Sequence, residues 1–253
     1  MEFLFWICSL VIIYIYAGYP LLLRSLPKIA CASTDVENTT QKKVTILIPA
    51  FNESGVIEST IRNKLEQNYP AELMQIIVIS DESEDGTDEI VNTLSLQDQR
   101  VQLLRQTPRQ GKTSGLNLAM PLATGEIVVF SDANSHYHPD AIQHLVNCFD
   151  DPSVGYATGK MVYVNSEGSI VGDGCSAYMK YENHMRALET QISSVVGVDG
   201  GIDAIRKHLY QPMNADQLPD FVLPLKVVTQ GKRVIYCEKA LLNEESLSSA
   251  QTE

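Results

Sequence analysis

The feature that most constrains the fold is a regular alternation of short apolar runs with segments of helical spacing, beginning at Val44. The apolar runs have the length of buried strands and occupy residues 44–49, 75–80, 101–105 and 126–130. Helical spacing of apolar residues occurs in residues 55–68, from 87 onward, in 112–122 and in 138–149. Strands that alternate with helices in this way form βαβ units. The sequence therefore predicts an α/β fold with a mostly parallel sheet and flanking helices.

Polar segments follow three of the four predicted strands. The sequence reads PAFNES after the first strand, SDESEDGT after the second and SDANS after the fourth. In open parallel sheets, ligands bind beyond the carboxyl ends of the strands. We therefore expect these three segments to lie at one edge of the sheet and to contain the binding residues.

Asp81 stands immediately after the second predicted strand. A carboxylate at this position can accept a hydrogen bond from the imide of a pyrimidine base or from a ribose hydroxyl. The alternative is a capping cluster, in which Asp85 or Thr87 begins the next helix. The capping interpretation accounts well for residues 85–88 and poorly for Asp81.

Asp132 and Asn134 are separated by one residue in a predicted extended turn. Alternate residues of extended backbone point the same way, so two oxygen ligands can face one hard cation. Oxygen ligands favour Mg²⁺ or Mn²⁺ over zinc. The alternative is an ordinary turn with an Asx cap. His136 and His138 flank Tyr137, and without further ligands we expect both to be solvated loop residues.

An apolar segment without any charge extends from Phe3 to Leu23, which is the length of a transmembrane helix. Arg24 and Lys28 follow it, so the positive-inside rule places the rest of the chain in the cytoplasm. Residues 24–43 are polar and are expected to form a linker. Cleavage as a signal peptide at Ala30-Cys31-Ala32 is the alternative. We expect membrane localisation, in the plasma or inner membrane if the source is bacterial.

Composition excludes several functions. A net charge of −12 argues against a nucleic-acid partner, but a divalent cation can still bridge acidic side chains to a diphosphate. The five cysteines are scattered, as in a protein with reduced thiols. Gly111-Lys112-Thr113 is not the end of a phosphate loop, because Gln106 stands where that motif begins with glycine.

Five motifs in order resemble the inverting family 2 glycosyltransferases, which have the GT-A fold. They are PAFNE, D-x-S-x-D-G-T, R-x-G-K-x-x-x-L-N, S-D-A-N and P-D-F. FSDANSHYHPDAI and GGIDAIRKHLY are most similar to the membrane-embedded branch that includes cellulose and poly-N-acetylglucosamine synthases. The resemblance covers residues 44–243, which implies a catalytic domain there and a truncated tail over 244–253.

The resemblance implies a role for each matching residue. Donor binding would involve Pro49, Ala50 and Glu53 against the nucleoside, Asp81 at the base and Lys112 near the phosphates. Asp132 and Asn134 occupy the family's D-x-D positions, so Asp132 would hold Mg²⁺ or Mn²⁺ at the diphosphate. Asp220 occupies the position of the catalytic base.

The resemblance also implies the reaction. We expect metal-dependent transfer of a sugar, with inversion, from a nucleotide-sugar such as a UDP-sugar to a saccharide acceptor in polysaccharide synthesis. The alternatives are a transferase acting on a polyprenyl-phosphate lipid acceptor and a non-catalytic, truncated relative that binds nucleotide-sugar. Asn134 replaces the family's second aspartate and Pro219 replaces an acid before the base. The family's later arginine-tryptophan motif is not found before Glu253, so a C-terminal part is expected to be missing.

Overall fold

An apolar helix begins the chain in this computed structural model, which describes residues 2–29, 41–164, 173–195 and 197–245. It consists of α1 (Glu2–Ile13), one π-helical turn (Tyr14–Gly18) and α2 (Tyr19–Ser25). Together these form 24 residues with a mean hydropathy of 1.9, mostly exposed to the surroundings. By length and composition the helix can cross a membrane, and a signal sequence near an N-terminus has the same properties. Most of the predicted linker, including Cys31, lies outside the described residues.

The first half of the remaining chain alternates strands and helices as predicted. The strands are β1 (Val44–Ala50), β2 (Met74–Ser80), β3 (Val101–Arg105), β4 (Ile127–Ser131) and the short β5 (His136–Tyr137). The helices are α3 (Ile57–Leu65), α4 (Thr87–Gln97), α5 (Lys112–Ala119) and α6 (Ala141–Cys148). The helix expected from residue 138 begins only at Ala141, because Tyr137 pairs as a strand residue and His138 also bonds to that neighbouring strand.

The second half completes the sheet. It contains β6 (Val154–Val164), α7 (Asp173–Ile192), β7 (Ile202–Arg206), α8 (Pro219–Thr229) and β8 (Arg233–Glu245). Most of the tail expected from residue 244 onward lies outside the described residues.

All eight described strands form one sheet in the order β3-β2-β1-β4-β7-β6-β8-β5. The strands β1 to β4 are mutually parallel, as predicted. Strand β7 runs antiparallel to both β4 and β6, with Phe130 opposite Asp203. Because β7 is antiparallel, its first residue, Ile202, pairs with Ser131 at the carboxyl end of β4. The start of β7 is therefore next to the edge where the predicted binding segments lie.

Both faces of the sheet are buried, which explains why the predicted strands read as continuous apolar runs. On β1, Ile46 and Ile48 face the core that includes residues of α3, α4 and α6. Leu47 faces a second core that includes residues of α5 and α8. The two cores hold the strands rigidly and leave their carboxyl ends as the place where loops diverge.

Candidate functional site

Hydrogen bonds from backbone N–H groups to side-chain oxygens join the loop after β1 to the loop after β2. Asn52 N–H donates to Ser83 Oγ (3.1 Å), and Glu84 N–H donates to Asn52 Oδ1 (2.9 Å). Asn52 and Glu82 adopt left-handed backbone conformations, with φ of 56° and 61°. Residues other than glycine rarely adopt left-handed backbone angles, so the surrounding contacts must hold these two loops in place.

Asp85 crosslinks the same loops and lies two residues before the start of α4 at Thr87. Its carboxylate accepts from the Thr87 hydroxyl, from Thr87 N–H (3.1 Å) and from Ser54 N–H (2.9 Å). The Thr87 hydroxyl and these further donors lower the pKa of Asp85. Asp85 therefore pairs with the N–H of Thr87, the first residue of α4, which agrees in part with the capping alternative; the N-cap residue itself is Gly86.

Asp81 is buried and accepts hydrogen bonds from the loop after β3. Gln110 N–H and Gly111 N–H each donate over 2.9 Å, the Gln106 side chain also donates, and Arg109 Nε lies 3.6 Å away. Burial favours protonation, but these donors outweigh it and lower the pKa of Asp81. Asp81 is therefore an ionised residue that shapes the loop over residues 106–111.

Phe51 lies against this loop at the end of β1. The guanidinium of Arg109 stacks 3.5 Å from the centre of its ring. Pro49 is half-buried, whereas the Ala50 side chain is buried and its carbonyl accepts from Asp81 N–H (2.9 Å). Of the predicted nucleoside contacts on β1, Pro49 is thus more accessible than Ala50. Phe51 offers an aromatic face that the sequence analysis did not single out.

The turn after β4 alternates as the sequence predicted. Asp132 and Asn134 are accessible, with the Asp132 side chain 39 % exposed, whereas Ala133 and Ser135 are buried. The Asp132 carboxylate and the Asn134 amide therefore lie on the outer side of one short turn. His136 and His138 are exposed, as expected, but His136 belongs to the short strand β5 and not to a loop.

Helix α3 supports this turn from below. Thr60 Oγ donates to Ala133 O (2.6 Å), and Asn63 exchanges two hydrogen bonds with the backbone of Tyr137 (2.7 and 2.9 Å). Lys64 is fully buried and donates to Ser135 O. Burial lowers the pKa of Lys64, and the charge of Asp132 acts in the opposite direction. The accessible side chains of the turn therefore rest on a fixed backbone.

Lys112, in the first turn of α5, joins two of the predicted acids. Its ammonium lies 2.7 Å from Asp132 Oδ1 and 4.0 Å from Asp220 Oδ1. Burial opposes protonation, but the charges of Asp132 and Asp220 outweigh it and raise the pKa of Lys112. Lys112 and Asp132, which are 20 positions apart, thus meet Asp220, which lies 88 positions after Asp132.

Glu53 and Asp203 are two further carboxyl groups in this region. Burial, with the charges of Asp85 and Asp132, raises the pKa of the half-buried Glu53. Asp203, on β7, accepts a hydrogen bond from Tyr156 (2.9 Å), while its Oδ1 has no partner in the described part of the chain. Burial, with the charges of Asp220 and Asp199, raises the pKa of Asp203 to about 7.

The donor set has the chemistry of a hard-cation site that a ligand would complete. In residues 2–29, 41–164, 173–195 and 197–245, no group of three His, Cys, Asp or Glu side chains is arranged to hold a metal ion. Asp132 and Asn134 offer oxygen atoms, and the ammonium of Lys112 already contacts Asp132. Oxygen atoms of a bound diphosphate would supply the remaining ligands that Mg²⁺ or Mn²⁺ needs.

A family model decides what kind of protein has this site. The model for glycosyl transferase family 2 matches residues 45–203, from β1 to β7. The chain belongs to glycosyl transferase family 2. The match includes every predicted donor-binding residue and both D-x-D positions, while Asp220 lies beyond it.

Two curated relatives show the range of the family around this chain. It is 27% identical over 166 residues to a beta-monoglucosyldiacylglycerol synthase of Trichormus variabilis, covering 65% of this chain and 36% of that protein. It is 32% identical over 130 residues to a poly-beta-1,6-N-acetyl-D-glucosamine synthase of Staphylococcus aureus, covering 51% and 31%. The chain therefore spans about a third of the length of these family 2 relatives.

A solved structure confirms the fold. A mannosyltransferase from Pyrobaculum calidifontis, in complex with GDP-Man and Mn²⁺, matches with a TM-score of 0.77 and 24% identity, covering 96% of this chain and 69% of the other. At this identity the likeness concerns the fold alone. It confirms the expected GT-A fold, a mixed α/β sheet with flanking helices.

The predicted residues fall into two groups around the end of the sheet. Lys112 contacts both Asp132 and Asp220, and the charge of Asp132 acts on Glu53. Asp81 lies at the other group, with the loop after β3. The sequence did not point to several supporting residues, which are Lys64 below the turn, Asp203 on β7, and Gly200 and Gly201 before β7.

Proposed function

We propose that this chain is the catalytic part of a membrane-anchored, inverting glycosyltransferase that takes its sugar from a nucleotide-sugar, with a UDP-sugar as the first candidate. The observation that carries the proposal is the contact of Lys112 with both Asp132 and Asp220 at the carboxyl end of the sheet. One ammonium stands between a carboxylate suited to a metal and a carboxylate suited to a base. Family membership gives this geometry its chemical meaning.

The donor would lie along the carboxyl ends of β1, β2 and β4. Asp81 keeps the loop over residues 106–111 in shape at the base, next to Pro49 and Phe51. Glu53 would lie near the ribose or the base, and burial with the charges of Asp85 and Asp132 raises the pKa of its carboxyl. Lys112 provides a positive charge for the phosphates.

The metal, Mg²⁺ or Mn²⁺, would be held by Asp132 and Asn134. When bound, such an ion stabilises the charge that grows on a departing nucleoside diphosphate. Lys112, whose ammonium lies 2.7 Å from Asp132 Oδ1, would offer its positive charge to the phosphate oxygens beside that site. Family membership and the donor chemistry support this assignment.

Asp220 would remove the proton from the attacking hydroxyl of the acceptor. It lies in the first turn of α8, near the positive end of the helix dipole, and its side chain is 41 % exposed. Pro219, at the first helical position, is compatible with the start of a helix. One base on the side opposite the leaving group gives inversion, and no second catalytic carboxylate is required.

The acceptor is a saccharide or a lipid-linked sugar, and two observations bear on the choice. The apolar helix Glu2–Ser25 would keep the catalytic domain, residues 44–243, at the cytoplasmic surface of a membrane. One relative is named for a glycolipid product and another for a polysaccharide. We place the polysaccharide first and keep the lipid acceptor as the second candidate.

Calorimetric titration with UDP- and GDP-sugars, with and without Mg²⁺ or Mn²⁺, tests donor and metal together. We expect binding of one nucleotide class that strengthens with metal, and we expect Asp132→Ala to remove the metal-dependent part. Glu72→Ala, which removes an exposed carboxylate before β2, is the control and should bind as the wild type does. Equal affinity with chelator present would exclude the metal assignment of Asp132.

Transfer assays on the same preparations test the base. Asp220→Asn should bind donor normally and lose transfer by about two to four orders of magnitude, the usual contribution of a general base. Nuclear magnetic resonance of the product reports whether the anomeric configuration is inverted. Transfer at the wild-type rate by Asp220→Asn would contradict the role of Asp220.

A further inference from the structure

The backbone of Gly200 forms the surface on which the Asp220 carboxylate rests. Gly200 lies in the turn before β7 and has φ of 84°, a conformation that favours glycine. A Cβ atom added there would lie 2.5 Å from Asp220 Oδ2, 2.6 Å from Cγ and 3.0 Å from Oδ1. No side chain fits at Gly200 unless Asp220 moves.

The turn that contains Gly200 is fixed from one side by α7. Arg186 is almost fully buried and binds Asp199 through both terminal nitrogens, with one contact of 2.7 Å to Oδ1. The same side chain donates to Glu182 (2.9 Å). A bidentate, buried ion pair holds the direction of the backbone as well as its place, so it defines where Gly200 lies.

Tyr137 fixes the turn from the other side. Its hydroxyl lies 3.1 Å from Gly201 O and 3.0 Å from Phe130 O, between β4 and the start of β7. Tyr137 also follows the Asp132 turn directly and is held by Asn63. The backbone that seats Asp220 is therefore connected to the backbone that presents Asp132.

We infer that the turn Asp199–Gly201 positions Asp220, and that Gly200 is the residue that sets the location of its carboxylate relative to Asp132. This inference rests on the proposed role of Asp220 as base. The side chain of Asp220 is 41 % exposed, lies at a helix start and has the Lys112 ammonium 4.0 Å from its Oδ1. A side chain at residue 200 would displace the carboxylate without touching the donor-binding loops after β1 and β2.

The test is a pair of matched glycine substitutions. Gly200→Ala and Gly231→Ala both place a side chain at positive φ, 84° and 73°, but around Gly231 nothing lies within 4 Å of the added Cβ. A misplacement of about 1 Å at a reacting group can cost about a hundredfold in rate. We expect Gly200→Ala to lose about a hundredfold in kcat with donor Kd unchanged, and Gly231→Ala to keep kcat within about threefold.

A crystal structure of Gly200→Ala separates this inference from the proposed function. An Asp220 carboxylate that has not moved overturns the inference, whatever the activity. A displaced carboxylate with a wild-type rate of transfer supports the positioning role of Gly200 but overturns the assignment of Asp220 as base. Displacement together with a loss of kcat and an unchanged donor Kd supports both.

Arg186→Lys provides a second measurement if Gly200→Ala does not fold. Lysine keeps the charge beside Asp199 but loses the bidentate contact. We expect kcat to fall about tenfold with donor Kd unchanged, because the turn loses its fixed direction. A wild-type kcat in this variant would overturn the positioning role of the turn.

Discussion

Asp81 contributes to the site through the loop that it holds. The carboxylate already accepts hydrogen bonds from two backbone N–H groups and one side-chain amide, and it lies near Arg109. A base that bonds to Asp81 has to share these oxygens. In the proposed function, Asp81 would therefore act on donor affinity both directly and by holding residues 106–111 in place.

Replacing Asp81 by asparagine tests this role. An amide nitrogen cannot accept from backbone N–H groups, so Asp81→Asn leaves at least one buried donor without a partner. We expect a loss of about 1–3 kcal/mol in the free energy of unfolding at pH 7 and a higher Kd for the donor. Urea denaturation and calorimetry measure the two effects.

The pH dependence of stability follows from the lowered pKa of Asp81. A carboxyl whose pKa is lower in the folded state stabilises the protein above its unfolded pKa, which is about 4. That stabilisation is lost as the pH falls through the folded value. We expect a smaller acid-induced loss in Asp81→Asn than in the control Glu72→Gln, which changes an exposed carboxylate. Identical acid profiles for the two variants would contradict the prediction.

Helix α3 is the element that makes the Asp132 turn rigid. Three of its side chains bond to three successive parts of the segment from Ala133 to Tyr137. The Thr60 hydroxyl, the Asn63 amide and the Lys64 ammonium donate hydrogen bonds to backbone oxygens of this segment instead of to solvent. Donor and metal affinity should therefore depend on residues of α3 that touch neither ligand.

Two threonine substitutions test the support that α3 gives. Thr60→Val preserves shape but leaves the buried Ala133 carbonyl without its donor, so we expect a loss of about 1–3 kcal/mol in unfolding free energy and weaker metal-dependent donor binding. Thr93→Val removes a hydroxyl that bonds only to its own helix α4, at Glu89 O, and should change stability by less than about 0.5 kcal/mol. Equal losses in the two variants would show that Thr60 has no special task.

The sequence predicts the elements better than their supports. The strands β1 to β4 follow from apolar runs, and the edge where they end follows from the rule for parallel sheets. The antiparallel direction of β7 is decided by contacts with β4 and β6, which no local pattern reveals. A signal for Lys64 was present, because it lies three residues after Ile61 on the apolar side of α3.

The site residues show the same limit. Spacing predicted that the segments with Asp81 and Asp132 share one edge, and the family resemblance added Asp220. Gly200 could not be found from one sequence, because its requirement is set by a side chain twenty residues later in the chain. Close approach between distant segments is a property of the folded molecule.

At the scale of the whole molecule, α7 lies between the apolar helix and the site. Leu23 of α2 packs on Met185 and Leu188 of α7, and Tyr19 donates to Glu189 (2.8 Å). Arg186, on the same helix, binds Asp199 in the turn below Asp220. The apolar helix is therefore attached to the catalytic domain by specific contacts and not only by the intervening chain.

Truncation of the chain tests the membrane anchor and this attachment. We expect the full chain to remain with membranes after alkaline carbonate extraction, and a chain that begins at Gln41 to be released. The shortened chain exposes Met185 and Leu188, so we also expect a lower Tm by several degrees, consistent with a loss of about 1–2 kcal/mol. Release of the full chain by carbonate would contradict the transmembrane assignment.

The left-handed residues Asn52 and Glu82 have a consequence for how this protein can change under selection. Glycine at either position would relieve backbone strain on the order of 1 kcal/mol. The same change would remove the bond from Glu84 N–H to Asn52 or from Arg109 N–H to Glu82. A hydrogen bond contributes about as much as this strain costs, and glycine loses more conformational entropy on folding, so the change gains no stability. Laboratory evolution should therefore keep both residues, whether the selection is for heat resistance or for donor binding.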